Sequence, residues 1–534
     1  KKEREGTRMR NRWMRLTAVL AAAAMLGGML AGCGSNDSSK SGKGETGKVQ
    51  QNEDIAKFIY QVTDSFDTSI NYIAASWVTY GVAETLFEVD EEGNAVPLLA
   101  DSMEMKDDLH WTLKLKEGIK FHDGTPFNAD AVLFTFDRLA ATGEIGGNFD
   151  FIVSMDKKDD YTIEITTTEA YGALKERFCE YKTAIVSPTN KFEDTLIGTG
   201  PFKFKETQKD VKNVVEKNDD YWGGDVKLAG AEFYPGEDEM TRSFQLYNNE
   251  VDFSILNIPI TEYENAKTKE QLDVFTLDCD YTHIMILNTT KAPFDNKDVR
   301  HAFSYAIDRE QLVNSIYGNV EGGVPSFGVV PVKYSWSNPD ACTAVYDREK
   351  ALELFRNAGI EDTDGDGMLE YEGAPFTVTI MTYETGLYKN AVEILQSQLK
   401  DIGVNVELEI TTWDVTDQKM SDKDYDINFD SVPFLEFGSP VSLANKFGSD
   451  AYFALGAGYA SEEMDLALEE GSKALEEETR KEKYDKVQEI AMEDMPFIPV
   501  FEVVKVYAMN KRLHDMDLNT YSVFKLTKDT YIQD

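Results

Sequence analysis

Trp111, Leu113 and Leu115 alternate with polar neighbours, which is the period of a strand with one buried face. Glu117-Gly118 then allows a turn, Ile119 and Phe121 continue, and Asp123-Gly124 marks another turn. The period then changes. Asn128 is placed to cap a helix whose apolar face is Val132, Thr135, Phe136 and Leu139. Asp295 or Asn296 opens a second helix, with Val299, Ala302, Phe303 and Ala306 on one side. Asp308 with Gln311 resembles a capping box for a third. Asp347 caps a fourth, carrying Ala351, Leu354, Phe355 and Ala358 and ended by Gly359.

The strongest pattern lies further along. Phe376, Val378 and Ile380 read as a strand, and Val392, Leu395, Leu399 and Ile402 as a helix face ended at Gly403. Val404, Val406, Leu408 and Ile410 read as the next strand. A strand, a long crossover helix and a strand imply parallel pairing with a right-handed connection. The expected class is therefore α/β with several sheets. No repeat of solenoid period is visible.

The amino-terminal stretch follows neither period. Leu16 to Ala31 is uncharged and mostly apolar, shorter than the roughly 20 residues of a comfortable membrane span. Arg8, Arg10, Arg12 and Arg15 precede it, and Leu30-Ala31-Gly32-Cys33 closes it. That order predicts a lipoprotein signal over 1–32, with lipid on Cys33 and an extracytoplasmic location. Residues 33–52 are dominated by Ser, Gly, Lys and other polar residues and predict a flexible tether.

What remains, roughly 480 residues, exceeds one hydrophobic core, so two or three lobes are expected. The formal charge of −42 argues against nucleic acid, whose binding needs Lys and Arg on phosphates. Beyond Cys33 the cysteines are Cys179, Cys279 and Cys342, far apart and odd in number. They form no disulfide framework and no zinc spacing, and one bridge among them stays open.

No catalytic signature appears: no HExxH, no GxSxG and no Walker loop. Gly198-Thr199-Gly200 is followed by Pro201 and opens no phosphate-binding helix. His110, His122, His283, His301 and His514 are scattered and read as structural or exposed. One run has metal-like spacing. Asp362, Asp364 and Asp366 with Gly367 match the start of a calcium loop, but the twelfth position is Gly373 where Glu belongs. The alternative is a tight acidic turn between helix and strand.

Several separated segments together carry a resemblance. They are "AETLFEVDEEGNAVPLLADSMEMKDDLHWTLKLKEGIKFHDGTPFNADAVLFTFDRL" (83–139), "IVSP" with "GTGPFKF" (185–204) and "VEKNDDYWGG" (215–224). "LNTTKAPFDNKDVRHAFSYAIDREQLV" (287–313) and "MPFIPVF" (495–501) complete the set. In this order the chain resembles the family 5 solute-binding proteins of ABC importers, the oligopeptide, dipeptide and nickel-binding group.

The resemblance implies a two-lobed, type II periplasmic-binding-protein-like clamp with an extra inserted subdomain. Lobe I would comprise 53–85, 195–285 and 505–534, and the insert 86–194. Lobe II would run over 286–504, and crossings near Asn288 and Phe501 would form the hinge. It implies a monomeric, non-enzymatic receptor without cofactor. Its partners would be a peptide-like solute, a permease and ATPase complex, and the membrane through lipid on Cys33. In peptide-binding relatives an acid in a W-x-x-D-x-x-D-P segment takes the ligand's ammonium. The matching stretch here is "PFLEFGSP", with Glu436 on the acid position, Pro433 for the Trp and Ser439 for the second Asp. Phe434, Phe437, Trp413 and Tyr281 are the expected walls. A nickel chelate is the alternative ligand; an enzyme or adhesin on the same scaffold ranks below both.

Overall fold

The computed structural model describes residues 55–142, 149–236, 238–384, 386–521 and 524–533. The signal, Cys33 and the tether expected at 33–52 lie outside them. A ten-stranded sheet runs through the molecule. In chain order its strands are β1 (Ile55–Ile59), β2 (Phe202–Gln208), β3 (Lys212–Lys217), β4 (Gly230–Tyr234) and β5 (Phe253–Ser254). They continue as β6 (Leu272–Leu287), β7 (Thr377–Tyr383), β8 (Asn405–Thr411), β9 (Ile427–Pro433) and β10 (Phe497–Asn510). Their spatial order is β8-β7-β9-β6-β10-β5-β1-β4-β3-β2.

Strands β6 and β10 are the long ones, at 16 and 14 residues. They pair antiparallel from Leu272–Asn510 to Ile286–Phe497, with irregular register between Asp278 and Thr282 and again after His283. At one end β6 carries β9 over Tyr281–Leu287. At the other, β10 meets β5 at Met509. The sheet therefore has two halves joined by two strands, and its pairing is disturbed where they cross from one half to the other.

Each half has its own core. One cluster, from Ile284 to Val504, packs Leu395, Leu399, Phe303 and Phe355 against Ile380, Phe429 and Phe497. Another gathers Phe58, Trp77, Tyr80, Phe202, Phe233 and Phe253 with Tyr507 and Leu526 from the carboxy-terminal part. A third draws its buried residues from 86–185. There an antiparallel four-stranded sheet (Ala100–Asp107, His110–Leu115, Thr162–Thr167, Ile152–Asp159) packs on the helix Ala129–Ala141.

Local signals act as the pattern predicts. Asn128 accepts from the Asp130 amide, Asn296 from Asp298, Asp308 from Gln311 and Asp347 from Lys350, each capping its helix. β7 and β8 pair parallel from Thr377–Asn405 to Tyr383–Thr411, with the helix Gly386–Asp401 between them. Gly198 lies where a Cβ would sit 2.0 Å from the Val82 carbonyl oxygen. Its role is close backbone approach, not a phosphate loop.

Thr199 and the Tyr221-Trp222 pair converge on one fully buried carboxylate. Glu84 accepts from Thr199 Oγ1 at 2.7 Å, Tyr221 OH at 2.7 Å and Trp222 Nε1 at 2.9 Å. Burial raises its pKa, and these three donors oppose the rise.

Candidate functional site

A cavity of about 580 Å³ sits on the joining strands and is walled from both halves of the sheet. Tyr281 and His283 of β6 and Val503–Val506 of β10 form its floor. Asn257, Pro259, Ile260 and Thr261, just past β5, form one wall, and Leu387, Tyr388 and Ser431 the other. Asn257 to Thr261 stand beyond the carboxyl end of β5, and Leu387 and Tyr388 beyond that of β7, where open α/β sheets bind ligands, while Ser431 lies within β9. A larger space, around Tyr60–Ser65, Gly236 and Leu256, is lined within a single half.

His283 is almost fully buried in the floor. Its ring lies parallel to Phe429 at 5.5 Å, tilts over Phe501 at 4.3 Å and meets the edge of Tyr388 at 5.0 Å. Burial pushes its pKa down to about 3, so the imidazole is neutral at physiological pH. Among the described residues its Nδ1 has no hydrogen-bond partner. A buried polar atom left unpaired beside a cavity is what a ligand or water would satisfy.

Hydroxyls form a chain along the second of these walls. Tyr388 OH and Ser431 Oγ lie 2.6 Å apart, Tyr383 OH reaches Tyr388 OH at 3.2 Å, and Tyr383 OH donates to Asp430 Oδ1 at 2.6 Å. Burial raises the Asp430 pKa, and the Tyr383 hydroxyl and Ser431 amide partly offset this. On the floor, the Lys505 ammonium lies 5.9 Å from the Tyr281 ring centre.

Of the five residues expected at the ligand, only Tyr281 lines this cavity. Glu436 is ion-paired at 3.2 Å with Lys446, whose side chain is only 7% exposed. Phe434 is fully buried and stacked on Phe447 at 5.8 Å, a core residue of its lobe rather than a wall. Phe437, at φ +52°, meets the edge of Tyr181 at 5.3 Å. Trp413 begins the helix Trp413–Asp422 and is 57% exposed, outside the cavity lining. The pattern read His283 only as structural or exposed and passed over Asp430. Each is a polar residue within an apolar run, "HIMIL" and "INFDSV", and that interruption was the available signal.

The halves also touch away from the joining strands. Arg480 Nη2 meets Glu176 Oε1 at 2.7 Å, and the Gly172 amide donates to the Ser472 carbonyl at 3.0 Å. Tyr334 packs on Tyr521, and Phe437 on Tyr181. These contacts join the two halves outside the cavity.

Asp362, Asp364 and Asp366 come together with Glu370, each offering a carboxylate oxygen within 4.8 Å of the others. Glu370, at the ninth position, supplies the acid that Gly373 lacks. The Asp362 carboxylate accepts from the Gly365 and Gly367 amides, and Glu370 Oε2 from the Thr363 amide. The run is thus a turn closed by its own backbone, with oxygens suited to a hard divalent cation. No disulfide joins Cys179, Cys279 and Cys342.

Two lobes, a ligand-sized cavity between them and two joining strands define a solute-binding clamp. The chain belongs to the bacterial extracellular solute-binding proteins, family 5, whose middle region matches residues 94–451. It is 29% identical over 443 residues to the oligopeptide-binding protein AppA of Bacillus subtilis (strain 168), covering 77% of this chain and 79% of that protein. The solved AppA structure, in complex with a nonapeptide, superposes with a TM-score of 0.72 at 22% identity, over 90% of this chain and 99% of that one. The glutathione-binding protein GsiB of Shigella flexneri is 26% identical over 480 residues, 85% of this chain and 90% of that protein. NikA of Staphylococcus aureus, in complex with Ni(L-His)2, superposes with a TM-score of 0.73 at 20% identity, over 90% of this chain and 99% of that one. The family comprises substrate-binding proteins of ABC transporters, not enzymes.

Proposed function

We infer that this chain is the receptor of a peptide-importing ABC transporter, held outside the cell by lipid on Cys33 and working as a monomer. The cavity between the lobes carries this reading. Its volume of about 580 Å³ falls within the roughly 300–1,000 Å³ usual for small-ligand sites. It offers a cation at Lys505, backbone at strand ends and apolar surface from Ile260, Ile316 and Leu387. A peptide needs those three: charge for a terminus, edges for its backbone and tolerant walls for side chains. Lobe I is assigned to 53–85, 195–285 and 505–534, the insert to 86–194 and lobe II to 286–504. The separate cores support that division. Ligand favours the closed state by touching both walls at once. AppA and GsiB are named for peptide ligands, which agrees with this reading.

A nickel chelate is the second reading, favoured by the unpartnered, neutral His283 in the cavity floor. The test is a thermal-shift screen of the purified chain against peptides of two to nine residues, beside nickel with histidine. Stabilisation by peptides is expected. A shift with nickel and histidine alone would reverse the ranking.

A further inference from the structure

We propose that Lys333 is a positioning residue for ligand capture: it staples the two joining strands where their pairing breaks, and so sets affinity without touching the ligand. This goes beyond the peptide reading and holds whichever solute the clamp takes.

The ladder defines the break. Strands β6 and β10 pair as far as Asp278–Val504 and resume at Thr282–Glu502. Between these rungs Cys279 to Tyr281 on β6 stand against Val503 alone on β10. Extra residues on one strand bend it and disrupt the local ladder. The joint between the halves is therefore irregular just where it carries Tyr281, Val503 and Val504 of the cavity floor.

Side chains span that irregularity. Asp278 ends one run of rungs and Glu502 begins the next. The Lys333 ammonium meets both, Asp278 Oδ2 at 3.1 Å and Glu502 Oε2 at 3.3 Å. The Glu502 side chain is only 3% exposed. Burial raises its pKa, the Lys333 ammonium opposes the rise, and the Asp278 charge adds to it. Taking the cation away would leave two carboxylates facing each other, one of them buried, and breaking such a pair is costly.

The chain leading to Lys333 is itself fastened to β10. The Glu502 amide donates to the Val324 carbonyl at 2.9 Å, and the Ser326 amide to the Val500 carbonyl at 3.1 Å. Further along β10, the Val504 amide donates to the Tyr317 hydroxyl at 3.2 Å. Just after Lys333, Tyr334 packs on Tyr521, 5.4 Å between ring centres, which is one of the contacts between the halves. Lys333, Asp278 and Glu502 do not line the cavity, although Val503, Val504 and Lys505 beside them do. The network therefore acts on how the halves meet rather than on the binding surface. A ligand that touches both halves binds more weakly when the joint is loose, because it must order the joint as well.

The experiment compares the full-length wild type with Lys333→Met, Lys333→Arg, Asp278→Asn and the Asp278→Asn, Lys333→Met double variant. Melting curves establish that each is folded, small-angle scattering gives the ligand-free radius of gyration, and calorimetric titration with trialanine gives affinity. Lys333→Met should enlarge the radius and weaken trialanine about fivefold or more, and Lys333→Arg should restore both. Asp278→Asn should weaken binding in the wild type yet add nothing to Lys333→Met, because both remove the same bridge. If Lys333→Met unfolds, Asp278→Asn, at the more exposed end of the bridge, takes its place with the same expected changes. Unchanged radius and affinity, either change without the other, or additive effects of the two substitutions would overturn the proposal. Wild type binding neither trialanine nor any peptide of the wider screen would overturn the peptide reading instead. The radius then decides here: enlarged in Lys333→Met and restored in Lys333→Arg sustains the staple, and equal radii overturn it.

Discussion

Glu84 shows what a single buried carboxylate holds together. Three donors from distant parts of the chain, Thr199, Tyr221 and Trp222, converge on it. Each orphaned buried donor costs about 1–3 kcal/mol. Glu84→Ala should therefore lower unfolding stability by roughly 3 kcal/mol or more, read as a reduced denaturant midpoint at unchanged slope; a loss below 1 kcal/mol would mean that water takes over the donors. Two histidines give the residue scale its pH dependence. Burial depresses the pKa of His122 to about 4 and of His283 to about 3, from an ordinary 6.5. Between those values the unfolded chain binds protons that the folded chain refuses, so stability falls as pH drops from about 6.5 to 3. A tenfold difference in proton affinity is worth about 1.4 kcal/mol. His122→Gln should make the acid limb of a stability–pH curve shallower, and an unchanged limb would show that His122 is hydrated. At this scale the sequence was least legible. Spacing singles out Glu436 by motif, but it cannot show that Lys446, ten positions on, already neutralises it. Nor does it show that Phe434 turns inward onto Phe447 while Tyr281 turns toward the cavity.

At the scale of elements the hydrophobic period was enough. The β7–helix–β8 unit and the four capped helices stand where apolar spacing and capping residues place them, because both signals are local and each element buries one face. Long-range pairing was not legible. Nothing in 272–287 or 497–510 announces that these two segments pair over nearly their whole length, since neighbours in a sheet need not be near in sequence. Gly198 belongs between these cases. Its neighbours exclude a phosphate-binding helix but do not show that it serves packing, with Val82 carbonyl oxygen 2.0 Å from where a Cβ would be. Gly198→Ala should force that segment off the chain at Val82 and lower the melting temperature by several degrees, as overpacking typically costs about 1–3 kcal/mol. An unaltered melting curve would show that the two backbones separate without cost.

For the whole molecule, the contacts far from the cavity bear on affinity. A ligand that touches both lobes binds only the closed state, so its apparent affinity scales with how often the empty clamp closes. Arg480 and Glu176 pair across the lobes with side chains only 9% and 14% exposed, and Arg480 also lies over Trp336. Gly438, at φ +70°, brings the loop after β9 against Gly93 so closely that a Cβ would sit 2.3 Å from its carbonyl oxygen. Both contacts join the two halves in this structure and neither lines the cavity. Weakening them changes the closing equilibrium without altering the binding surface. Glu176→Gln should lose most of the charge pairing yet keep the shape of the contact, and weaken peptide binding by roughly tenfold, about 1.4 kcal/mol. Gly438→Ala should weaken it more, because there the closed state itself is obstructed. Small-angle scattering of the ligand-free chain should show a larger radius of gyration for both variants than for wild type, with that of Gly438→Ala failing to contract on adding peptide. Equal radii together with weakened binding would place the effect in the site itself; unchanged binding with a larger radius would mean that closure is not coupled to ligand capture.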